Sequence, residues 1–121
     1  MKWEKQFYDE GGLLVCGTDP TGAGRTIAGY GSRREIELLV EGGFTSVQAI
    51  KIATFNGATF LGEAARIGSI ASGKQADLMI VKGNPAANIN DIEKVEIVFK
   101  DGVGFDAPKL FDSVKQRFGQ Y

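Results

Sequence analysis

Leu13 to Cys16 is a run of four apolar residues, bounded by Gly11-Gly12 on one side and Gly17 on the other. Its lack of alternation is the pattern of a strand covered on both faces, as in parallel sheets. Such a strand needs partners along both edges and a packed layer above and below. The rest of the chain therefore has to be read for where those partners come from.

Before the run, Trp3 and Phe7 stand four apart in residues 3–10, which predicts a helix closed by the two glycines. After it comes a loop from Asp19 to Gly31, with Pro20 and glycines at 22, 24, 29 and 31. Ser32 and Glu35 have the spacing of a capping box, followed by the stripe Ile36, Leu39, Val40 and a stop at Gly42-Gly43. Thr45 and Gln48 form a second box. It opens a helix whose predicted buried stripe is Val47, Ala49, Ile50 and Ala53, running to about Asn56. A short helical turn is expected over Ala58 to Leu61, stopped by Gly62.

From about Arg66 the period changes. Leu78 to Val81 is an apolar run between turn residues, and Val95, Ile97 and Phe99 alternate with Glu96 and Lys100. Asp101-Gly102 is a hairpin signal before Val103. Pro108 suits the first turn of a terminal helix reaching Gly119, with Leu110, Phe111, Val114 and Phe118 on one side. A region of strand then helices, 1–65, is thus followed by a region of short strands and a helix, 66–121. Neither is large enough for a comfortable core by itself.

Charge and composition exclude several functions. The chain has 121 residues and a formal net charge of −1, so nothing draws it to nucleic acid or to an anionic membrane. No apolar window approaches the roughly 18 residues of a membrane span. The N-terminus lacks the apolar core of a signal peptide, and the cytoplasm is the expected compartment. Cys16 reads as a small core residue. The chain contains no histidine, which removes the usual imidazole ligands, bases and proton shuttles.

The glycine loop suggests phosphate first, and its spacing rejects that. Gly17 and Gly22 are followed by Ala23-Gly24 rather than Lys-Ser/Thr, and Gly22-x-Gly24 is followed by Ile27 where glycine or alanine is required. Asp19 has two readings: a turn residue before Pro20, or a carboxylate at the C-terminal end of a parallel strand. In the second it would bind a cation or act as a base in the crevice where such sheets place their sites. Arg33 and Arg34 read as a solvated first turn, and Arg25 and Tyr30 as loop residues within reach of a ligand. Asp77 is expected to fix a turn near Gly73 or Lys74, and Asn56 to cap a helix end.

The ordered segments "LLVCGTD", "EIELLVEGGFTSVQAIKIATFNGATFLG", "RIGSIASGKQADLMIVKGNP" and "VEIVFKDG" resemble the C-terminal part of the amidohydrolase superfamily. The likeness is to its imidazolonepropionase-like and prolidase-like metal-dependent hydrolases. The most specific piece is G-x-I-x-x-G-K-x-A-D-L, Gly68 to Leu78. The resemblance implies an α/β fragment. Residues 1–65 would be the last strand and helices of a TIM barrel. Residues 66–121 would be the C-terminal strands of a composite β-sandwich plus a terminal helix.

It further implies hydrolysis of a C–N (amide or peptide) bond by the full-length parent. Asp19 would be metal ligand and water-activating base, with a divalent metal, zinc first, as cofactor. The family's other ligands, an H-x-H pair, a lysine or glutamate and two further histidines, have no counterpart here. A TIM barrel takes about 250 residues, so this looks like roughly the last third of such an enzyme. The chain alone is expected to be inactive and to hold no metal, since one carboxylate cannot bind a catalytic zinc. Its unpaired edges favour a homo-oligomer. Two other readings stay open: a non-catalytic assembly or binding subunit derived from the family, and a small α+β ligand-binding domain using the glycine-rich loop. No substrate-binding residue is assigned.

Overall fold

The computed structural model describes residues 1–20, 26 and 29–115. Helix α1 spans Lys2–Asp9 and ends at Gly11, and α2 spans Tyr30–Glu41. Helix α3, Ser46–Lys51, is followed by a π turn, Ile52–Asn56, and by α4, Gly57–Phe60. Helical dihedrals continue across both junctions, so residues 46–60 form one rod. The Thr45 box forms as expected: Gln48 N–H donates to the Thr45 hydroxyl, and Thr45 N–H to the Gln48 side chain.

Strands β1 (Leu78–Val81), β2 (Val95–Lys100) and β3 (Val103–Asp106) make an antiparallel sheet in that order. Lys100 pairs with Val103, leaving Asp101-Gly102 as a two-residue turn with φ of 51° and 79°. Both values are positive, as the favoured hairpin turn requires. A 3-10 helix, Ile89–Glu93, precedes β2, and α5, Ala107–Val114, follows β3 with Pro108 in its first turn. The predicted continuation of α5 toward Gly119 lies outside the described residues from 116 onward.

Leu39, Phe44, Ala49 and Ile52 form the buried cluster under the helices, with Tyr8, Leu14, Cys16, Ile36 and Val40 packed on it. The Tyr8 and Phe44 rings meet edge to face at 5.5 Å, which brings α1 onto this core. Ile89 and Ile92 are buried in the 3-10 helix. Arg33 on α2 pairs with Glu93 at 3.2 Å, tying the helical part to the strand part. No helix among the described residues is long and apolar enough to cross a membrane.

Five expectations are corrected. Leu13–Cys16 joins no sheet among the described residues. A strand is held by its neighbours, and the three strands present pair with one another instead. Ser32 does not cap α2: that helix starts two residues earlier, its N-cap Gly29 makes no side-chain bond, and Glu35 turns elsewhere. Val47 is 61% exposed, and the rod's buried positions are Ala49, Ile52, Asn56 and Ala58, a different stripe from the expected one because several segments pack against it. Asn56 is buried inside the rod rather than capping an end. Arg33 is half-buried and pairs with Glu93 rather than standing free in solvent.

Candidate functional site

The G-x-I-x-x-G-K-x-A-D-L motif turns out to be a folding device. Gly68 has φ of 84°, and a Cβ there would lie 2.4 Å from that of Ala58, so only glycine lets this turn lie against the rod. Lys74 Nζ donates to the Ala64 carbonyl and, at 2.6 Å, to the Ser69 hydroxyl, closing the loop between them. Asp77 works neither with Gly73 nor with Lys74. Its carboxylate accepts from Asp101 N–H at 2.9 Å and from Lys100 Nζ at 2.6 Å, gripping the β2–β3 turn from the lead-in to β1. Those donors, the Asp101 amide first, hold Asp77 below the usual carboxylate range. None of these groups is free to act on a ligand.

Asp19 is different. It is exposed, and it has no hydrogen-bond or ion-pair partner among the described residues. Its φ of 40° lies in the left-handed region. A residue before proline is normally confined to extended conformations, so Asp19 carries backbone strain of about 1–3 kcal/mol.

The segment leading to it is fastened by side chains rather than by a sheet. Asn56 Nδ2 donates to the Leu14 carbonyl at 2.8 Å. Gly17 N–H donates to Glu35 Oε1 at 3.0 Å. Between these two points Cys16 faces the core. Burial first, and the Glu35 charge second, push its thiol up to about 12, so it is an inert core thiol at neutral pH. Sequence reasoning missed both anchors. An asparagine among apolar helix neighbours was the one available signal for Asn56, and Glu35 was obscured by its fit to a capping box.

Beside the segment an open groove of about 400 Å³ is lined by Thr18, Tyr30, Gly31, Arg34, Glu35 and Leu38. Its cation is already engaged: Arg34 pairs with Glu37 at 3.0 Å and with Glu41 at 2.6 Å. These carboxylates hold the guanidinium pKa above its ordinary value. Tyr30 stands at the rim as the first residue of α2. Arg25 and the glycines at 22 and 24 lie outside the described residues.

The described residues do not fit a complete metal centre. No three carboxylate, thiol or imidazole groups among them converge on a point, and Asp19 offers one carboxylate where a catalytic zinc needs about three protein ligands.

Residues 5–104 match the sequence pattern of the amidohydrolase family. Among solved structures, a Xaa-Pro dipeptidase is 37% identical with a TM-score of 0.76, over 87% of this chain and 25% of its own length. A prolidase described as putative, from Bifidobacterium longum, is 30% identical with a TM-score of 0.75, over 94% of this chain and 29% of its own. Molinate hydrolase, 24% identical, shares the fold with a TM-score of 0.79, over 98% of this chain and 28% of its own. The chain thus spans a little over a quarter of the length of these proteins. No curated protein matches it by sequence.

Proposed function

Because this chain belongs to the amidohydrolase family, we propose that it is the C-terminal portion of a metal-dependent hydrolase of C–N (amide or peptide) bonds. In this reading residues 1–65 complete a barrel wall and residues 66–121 contribute the strands of a second, composite unit. Asp19 is the one site residue the chain supplies, a metal ligand of the assembled enzyme, where zinc is the metal expected, and a base for the attacking water. The observation that carries this is the state of Asp19: exposed, unpartnered among the described residues, and held in a costly backbone conformation at the end of a fastened segment.

An uncommitted carboxylate has what a base needs, an oxygen free to take a proton. The other donors have to come from chain that these 121 residues do not include. By itself the chain is expected to turn nothing over and to retain no zinc in equilibrium dialysis at micromolar concentration. Without that missing partner, its apolar edges are covered by another copy of itself.

The test is reconstitution. The chain is joined to, or refolded with, the N-terminal three quarters of a related prolidase-like enzyme, and hydrolysis of Xaa-Pro dipeptides and simple amides is followed. Turnover should appear only in the combined protein, and Asp19→Asn should lower kcat by at least about 100-fold. Full activity of the Asp19→Asn protein, or turnover by the chain alone, would overturn the reading.

A further inference from the structure

Strained backbone persists where the surroundings over-determine it. No sheet holds the residues before Asp19, and its own carboxylate has no described partner. Among the described residues, the side-chain bonds on this stretch act earlier in the segment. Two side chains do so, from two separate helices. Asn56 is 5% exposed within the π turn and reaches across 42 positions in sequence to the Leu14 carbonyl. Glu35, one turn into α2, accepts from Gly17 N–H, two residues before Asp19.

Neither side chain serves its own helix. Glu35 makes no cap on α2, although the spacing to Ser32 would allow one, and Asn56 makes no side-chain cap bond on α4. Both bonds end on the same segment, one at each end of the stretch Leu14–Gly17. The π turn interrupts regular winding, and such turns are frequent at functional sites.

We propose that Glu35 and Asn56 are positioning residues for Asp19, fixing Leu14 and Gly17 so that Asp19, two residues beyond Gly17, is held in its left-handed conformation. This rests on Asp19 being the site carboxylate. The bonds are directional and differ in kind, a buried amide donor and a carboxylate acceptor, so each can be removed without touching Asp19.

Backbone NMR of the full chain tests it. In Glu35→Ala the Gly17 amide should exchange about tenfold faster, the loss of roughly one hydrogen bond. The Asp19 Cα and Cβ shifts should move from left-handed toward extended values. Glu35→Gln keeps a side-chain oxygen and should rescue both readouts. Asn56→Asp loses the donor to Leu14 and should displace the same Asp19 shifts. A purely structural role would instead alter amides throughout α2 and the core and leave the Asp19 shifts in place. Unchanged Asp19 shifts in Glu35→Ala overturn the proposal, and the Glu35 pair decides alone if Asn56→Asp fails to fold. Failure of the Asp19 chemistry shows separately, as activity retained by Asp19→Asn in the reconstituted enzyme.

Discussion

Cys16 shows how one residue ties the site segment to stability. Its thiol is pushed up to about 12 from an ordinary 9.0 by burial and then by Glu35, so the folded chain holds that proton more tightly than the unfolded chain does. The contribution is complete below pH 9 and is lost as pH rises from 9 toward 12. The urea midpoint should therefore fall between pH 8 and pH 10.5. In Cys16→Ser, which does not titrate there, the fall should be shallower. Parallel denaturation curves for the two proteins at both pH values would refute this. Asn56 and Glu35 make the complementary point: a polar side chain facing the core in the one case, and one turned off its helix in the other, are explained by a backbone group far away in sequence.

The hairpin is the element whose behaviour follows most directly from its contacts. Asp77 accepts from the Asp101 amide and from Lys100, and Gly102 N–H donates to the Ala76 carbonyl at 3.0 Å. The turn between β2 and β3 is thus clamped by the residues entering β1. Because the Asp77 carboxyl is held low, its stabilising effect is present above its unfolded value, near pH 4, and is lost as pH falls further. In Asp77→Ala, stability should vary less with pH between 5 and 3, and the Asp101 amide should lose its protection in hydrogen exchange. Retained protection at Asp101 would show that the strands hold the turn unaided. The rod of residues 46–60 differs in this respect, since its cap forms locally, while its π turn carries the Asn56 that reaches Leu14.

For the molecule as a whole, the unfinished surfaces dominate. Met79, Val98 and Phe105 lie directly opposite one another across the three strands, and they are 48%, 37% and 40% exposed. Leu110, Phe111 and Val114 of α5 are exposed as well. An apolar row on a sheet with open edges favours pairing with another chain. The isolated chain is expected to form a homo-oligomer, and light scattering at micromolar concentration should give a mass at least twice 13.0 kDa. Val98→Lys, placing a charge in the centre of the row, should shift it toward monomer. A compact monomer for the unmodified chain would refute the expectation.

Local signals carried much of this fold. The Thr45 box, the Asp101-Gly102 turn, the alternation in β2 and Pro108 in the first turn of α5 each depend on neighbours a few residues away, and each is legible in the order of residues. So is the family, through the G-T-D and the Gly68–Leu78 motif, which both lie within the residues 5–104 that match it. Tertiary structure decided what depends on distant partners. Leu13–Cys16 has the composition of a strand but no strand beside it among the described residues, since pairing is a property of the neighbour as much as of the run. Val47 is exposed and Ile52 buried because the face of a helix that is buried depends on what packs against it. Asp19 was visible as a carboxylate after an apolar run. Its strained conformation, and its dependence on Asn56 and Glu35, exist only once α2 and the rod are folded around Leu14 and Gly17.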